Sequence, residues 1–86
     1  MDINDLIAIV KKKIEKEIVL ENIIIEDKSF LHKNHKGNQD GKFHLKLHLE
    51  SSELKKMSYI ERNKKIYKIL ESELKQFIHS LQILIK

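Results

Sequence analysis

Phe77-Ile-His-Ser-Leu-Gln-Ile-Leu-Ile-Lys86 decides how the chain is read. Phe77 and Ile78 continue the three- and four-residue apolar spacing of Ile66, Tyr67, Leu70 and Leu74, so they end an amphipathic helix. Leu81 to Ile85 then reads as a short apolar strand. His79 lies at the junction of the two segments. It is the one histidine between two stretches that both read as core. A site is expected against His79, completed by the loop that carries His32 and His35.

Outward from this stretch, Ser58-Tyr-Ile-Glu61 has the capping-box pattern and opens the helix that ends near Ile78. Arg62, Lys64, Lys65, Lys68 and Lys75 are expected mostly off its apolar stripe. Before it, Ser51-Ser-Glu-Leu54 is suited to start a helical turn. Phe43, Leu45, Leu47 and Leu49 alternate with His44, Lys46, His48 and Glu50, which predicts a strand buried on one face. Val19 to Glu26 is β-branched and apolar, a second strand. Its run Ile23-Ile-Ile25 predicts cover on both faces near the middle. At the amino terminus, Ile3, Leu6, Ile7, Val10, Ile14 and Ile18 form one apolar helix face, capped by Asp2 or Asn4. The lysines at 11, 12, 13 and 16 read as a solvated surface.

The two central strands are expected to pair as an antiparallel hairpin. A strand, a helix and a further strand imply a crossover that returns the last strand to the same sheet. The prediction is therefore an α+β fold of order α-β-β-α-β. It has a three-stranded mixed sheet, helices packed on one face and a single domain over residues 1–86.

Composition narrows the chemistry. The chain has no cysteine, which excludes disulfides and self-made zinc–thiolate or iron–sulfur sites. Sixteen lysines and one arginine against thirteen acidic residues give a net charge of +4, a mild attraction for phosphate or acidic partners. The acidic start, Met1-Asp-Ile-Asn-Asp5, does not resemble a secretory signal, and no apolar run approaches membrane-spanning length. A cytoplasmic protein is expected. No nucleophile elbow, phosphate loop or H-E-x-x-H is present, so an enzyme is the least favoured class.

Asp27 to Gly41 holds both glycines and is a long polar loop for so small a domain. Its landmarks, Asp27-Lys-Ser29, His32-x-x-His35-x-Gly37 and then Phe43, resemble the hairpin loop of the BolA family. Ile60-Glu-Arg62 followed by Ile66-Tyr67 is similar to that family's V-x-R-H-R-x-V-Y helix signature, with Asn63-Lys64 where His-Arg is usual. Ile78-His79-Ser-Leu81 is similar to its I-H-A-L ending. The resemblance implies a class II KH-like fold. It also implies a partner, a monothiol glutaredoxin of the Cys-Gly-Phe-Ser type, as an apo complex or around a shared [2Fe–2S] cluster. His79 would be the ligand at the end of the helix, and His32 or His35 the ligand from the loop. The partner's cysteine and glutathione would complete the set. No cofactor is expected in the isolated protein, which would be a monomer alone or a heterodimer with glutaredoxin.

Blander assignments compete with these. His79 alone reads as a half-buried histidine at a helix end, where the dipole favours an imidazolium. His32 and His35 read as loop polars. His44 and His48, roughly 13 Å apart on one strand face, read as solvent-facing. The alternative function is a nucleic-acid-binding regulator using Arg62, Lys64, Lys65 and Lys68 of the basic second helix. Only lysine–phosphate contacts are on offer, and the G-x-x-G loop of KH domains has no counterpart between Ser51 and Ser58, so weak and sequence-independent binding is expected.

Overall fold

The computed structural model describes residues 1–29 and 42–86. Helix α1 runs Ile3–Glu17, with Asp2 as its cap: the Asn4 N–H donates to Asp2 Oδ1 at 2.6 Å. Strand β1, Asn22–Asp27, is followed by β2, Phe43–Glu50. Three helices come next: α2 Ser52–Lys55, α3 Tyr59–Ile69 and α4 Glu71–Gln76. Strand β3, Ile78–Ile85, closes the chain. The sheet order is β1-β2-β3, with β1 antiparallel and β3 parallel to the central β2. This is the expected α+β architecture.

One core holds the layers together. Leu6, Val10, Ile14 and Ile18 of the amino-terminal segment meet Leu45, Leu47 and Leu49 of β2, together with Leu54, Ile66, Leu70 and Ile78. The four from α1 and its cap repeat at four-residue steps, and the three from β2 at two-residue steps, so each element presents one apolar face. Truncating such a side chain removes transfer energy and leaves a cavity, at a cost of about 2–5 kcal/mol.

Five expectations are corrected here. The first strand begins at Asn22 rather than Val19, because Val19 spends its backbone on side chains: its N–H donates to Glu53 Oε2 at 2.9 Å and its carbonyl accepts from Ser51 Oγ at 2.9 Å. Its side chain is exposed. Ile24 is half exposed, since the helices cover only one sheet face and leave the other open. The second long helix is interrupted at Leu70, whose N–H is shared between the carbonyls of Ile66 and Lys68 and whose ψ of 16° leaves helical geometry. With the helix broken there, Ile78 belongs to β3, which starts three residues earlier than Leu81. Tyr67 lies off the core stripe and is exposed, its hydroxyl 3.5 Å from the Leu81 carbonyl.

Ser51 joins the two halves of the fold. It is fully buried. Its hydroxyl caps α2 by accepting from Leu54 N–H at 3.1 Å while donating to the Val19 carbonyl. One side chain thus satisfies a helix end and an irregular strand approach. Among the described residues, no helix is long and apolar enough to cross a membrane.

Candidate functional site

The parallel β2–β3 ladder contains one slip. Phe43 pairs with Ile78 and His44 pairs with Ser80, leaving His79 as the extra residue on β3. A bulge of this kind re-aims side chains. Strict alternation from a buried Ile78 would bury Ser80 and turn Leu81 outward. The slip instead keeps both Ile78 and Leu81 on the core side, while His79 and Ser80 are exposed. Two consecutive polar residues are thereby released onto the open face at one end of the sheet.

His44 meets them there. Its Nδ1 lies 2.6 Å from Ser80 Oγ, and its ring centroid lies 4.9 Å from that of His79, with the planes tilted by 49°. His44 is only 5% exposed, which corrects the expectation that it faces solvent. The His79 ring and the Ser80 hydroxyl, brought there by the bulge, lie against it. His48, four pairs further along, is half-buried and bonds Glu26. Lys28 Nζ also reaches Glu26, at 2.8 Å. Lys28 first, and then His48, hold the Glu26 carboxyl below its ordinary range.

The base of the loop is tied to the same corner. The Ser29 hydroxyl accepts from His44 N–H at 3.1 Å, Lys28 N–H donates to the His44 carbonyl at 2.7 Å, and Ser29 N–H donates to Asp27 Oδ1 at 2.9 Å. On the return side, Phe43 N–H donates to the Phe77 carbonyl at 2.8 Å and Lys42 Nζ to the Lys75 carbonyl at 3.3 Å. The Asp27-Lys-Ser29 motif therefore serves as a clasp that ties the end of β1 to the His44 backbone. His32 and His35 themselves lie outside the described residues.

These donors can be weighed against a [2Fe–2S] cluster, the group that the family resemblance implies. The chain supplies no thiolate. Among the described residues no three or more His, Cys, Asp or Glu side chains converge on one point, and His79 is the exposed imidazole at this corner. Such a donor set does not fit a cluster held by these residues alone. It does fit a cluster shared with a protein that brings its own thiolates.

The basic residues of the second helix do not form one surface. Lys64 lines a shallow groove of about 350 Å³ with Tyr59, Ile60, Asn63 and Tyr67. Arg62 sits with its guanidinium carbon 5.8 Å from the Tyr59 ring centroid. Lys65 and Lys68 instead face α1, in a separate groove of about 520 Å³ with Lys13 and Lys16. Neighbouring positions on a helix are turned by about 100°, and this separates Lys64 from Lys65. Helical spacing alone carries this partition. Lys11, Lys12 and Lys16 are exposed, as expected of a solvated surface, but that Lys13 and Lys16 lie across from Lys65 and Lys68 was not legible, because nothing in the sequence pairs α1 with α3.

The chain is similar to known proteins along most of its length. A family model described as BolA-like protein matches residues 14–86. The DNA-binding transcriptional regulator BolA of Haemophilus influenzae is 32% identical over 75 residues, an overlap covering 87% of this chain and 70% of that protein. SufE-like protein 1, chloroplastic/mitochondrial, of Arabidopsis thaliana is 32% identical over 82 residues, covering 90% of this chain but 22% of that protein, so the chain spans less than a quarter of that relative. Among solved structures, BolA1 from Arabidopsis thaliana superposes with a TM-score of 0.77 at 29% identity, covering 92% of this chain and 87% of that one.

Proposed function

The chain belongs to the BolA family, and on that premise we propose that it is one half of a heterodimer with a monothiol glutaredoxin of the Cys-Gly-Phe-Ser type. The two would share a [2Fe–2S] cluster for iron–sulfur trafficking or for iron and redox regulation. His79 is the ligand from the helix–strand corner, and His32 or His35 the ligand from the loop. The partner's cysteine and glutathione provide the remainder. When bound, the cluster supplies one-electron chemistry, and imidazole in place of thiolate at one iron raises its potential.

The single observation that supports this reading is the bulge at His79. A parallel ladder is broken at one residue, and the residue released is an exposed imidazole beside the clasped base of the loop. His44 limits the freedom of that imidazole by lying against its ring, so the ligand is partly oriented before a partner arrives. Oriented ligands lose less entropy on binding.

The test is anaerobic co-reconstitution of this chain with a monothiol glutaredoxin and glutathione, followed by visible circular dichroism. A heterodimer spectrum distinct from that of the glutaredoxin homodimer is expected. It should be lost or short-lived with His79→Ala, and single Ala replacements at His32 and His35 should identify the loop ligand. A spectrum and lifetime unchanged by His79→Ala would remove the ligand assignment.

A second reading rests on a different observation. Tyr59 and Tyr67 are exposed and share one α3 groove with Lys64, and Arg62 lies over Tyr59. Aromatic faces with interleaved cations suit stacking of single-stranded bases, and one relative carries a DNA-binding name. Binding by this face would be weak, sequence-independent and steeply reduced by salt. Because the two lysines lie on different sides of α3, Lys64→Glu should weaken it and Lys68→Glu should not. Tight binding to one sequence at physiological salt would reverse the ranking of the two readings.

A further inference from the structure

The helical layer, on the opposite side of the sheet from His79, holds a second charged feature. Lys13 and Lys16 are three residues apart on α1, and Lys65 and Lys68 are three apart on α3, so each pair shares a helix face. The two pairs line one groove of about 520 Å³, with Ile69 and Glu17 completing it. A smaller groove of about 300 Å³ shares Lys13, Lys68 and Ile69 and adds Glu71, Ser72 and Lys75. The two grooves thus adjoin; the positive charge is concentrated in the larger one, since Lys75 at the far end pairs with Glu71 at 3.7 Å.

These lysines are not equivalent. Lys13 is fixed by Glu73, whose two carboxylate oxygens lie 3.0 and 2.7 Å from its Nζ. Glu73 is itself buried, so that ammonium is held in place. Lys65 rests 3.9 Å from Glu53. Among the described residues, Lys16 and Lys68 make no ion pair. Like charges at this helical spacing repel. An anion between the two helices would relieve that repulsion.

We propose that this α1–α3 groove binds a small oligophosphate, either a free phosphate chain or the phosphate tail of a nucleotide. Three features favour this class. Lysines are compact point charges suited to phosphate oxygens, whereas the one arginine, the residue for planar bidentate contacts, lies at Tyr59 instead. The volume falls in the range of small-ligand pockets, about 300–1,000 Å³. Four lysines, Lys13, Lys16, Lys65 and Lys68, spread along one groove favour several phosphates in a row over a single one. The groove lies apart from the His79 corner, so its occupation and that of the corner are independent.

The experiment uses the full chain. Inorganic tripolyphosphate, pyrophosphate, orthophosphate and ATP are titrated at matched ionic strength and followed by amide chemical shifts. Saturable shifts are expected around Lys13, Lys16, Lys65, Lys68 and Ile69. Affinity should fall from tripolyphosphate to pyrophosphate to orthophosphate, and ATP should bind at least as well as tripolyphosphate if the natural source is a nucleotide, or more weakly if it is a free chain. The double variant Lys16→Glu/Lys68→Glu should lose about tenfold in affinity, given the modest strength of exposed charge pairs, with an unchanged melting temperature. Lys11→Glu/Lys12→Glu, which keeps every groove lysine, should lose little. The proposal is overturned if no titration saturates, if orthophosphate binds as tightly as tripolyphosphate, if the two double variants weaken binding equally, or if duplex DNA binds and tripolyphosphate does not.

Discussion

Strand β2 makes two pairings that differ in kind. With β1 it forms six successive antiparallel pairs, Asn22 with Glu50 through Asp27 with Leu45, and the register never slips. With β3 it forms a parallel ladder that slips once, at the end where His44 and His79 meet. The regular side needs only alternation of apolar and polar residues, and its role is to build the sheet. The irregular side spends regular pairing to expose one imidazole. Stability and the candidate site therefore sit on opposite edges of the same strand, and they should separate under mutation.

The largest loss should come from the shared core. Leu47 is fully buried, so Leu47→Ala should cost about 2–5 kcal/mol in urea denaturation, with both edges failing together. Ser51→Ala removes a cap and a donor at once and should cost about 1–2 kcal/mol by the same measurement. A smaller effect is expected from deleting His79. The deletion leaves Ile78, Ser80 and Leu81 in strict alternation and restores a regular ladder, so stability should change by less than about 1 kcal/mol. Loss of more than twice that amount would make the bulge a structural element and dissolve the contrast between the two edges.

Acid separates the edges more gently. Glu26, on the regular edge, has its carboxyl lowered by Lys28 and His48, and Glu21 is lowered by hydrogen bonds from Ser52. Both are depressed in the folded state. Their contribution is therefore fully present above the ordinary value of 4.5 and is lost as pH falls through their lower folded values. Melting temperature followed downward from pH 5 should decline less steeply in Glu26→Gln than in the parent chain.

Much of this contrast is legible in the sequence, and the rest depends on pairings that no local pattern encodes. The α1 stripe and the β2 alternation follow from periodicity alone, and Leu6, Val10, Ile14, Leu45, Leu47 and Leu49 are all buried as it requires, while the serine caps follow from residue type. The start of β3 is ambiguous because Phe77 and Ile78 satisfy both a helix stripe and a strand. The bulge is invisible because register is a relation between two strands, and so are the contacts of His44 with His79 and Ser80. His79 is conspicuous at its junction, but its exposure depends on which partner faces Ser80. The division between Lys64 and the pair Lys65 and Lys68 was available from helical geometry. What lay across from them, Lys13 and Lys16, was not.

The central claim, that His79 is the iron ligand from this corner, is tested most directly on the reduced heterodimer cluster. With this chain alone carrying ¹⁵N-labelled histidine, pulsed electron paramagnetic resonance reads hyperfine coupling from imidazole nitrogen bound to iron. Coupling from His79 is expected, and His79→Ala should remove that component while the protein stays folded. Identical coupling in His79→Ala, or none in the parent heterodimer, would contradict the account.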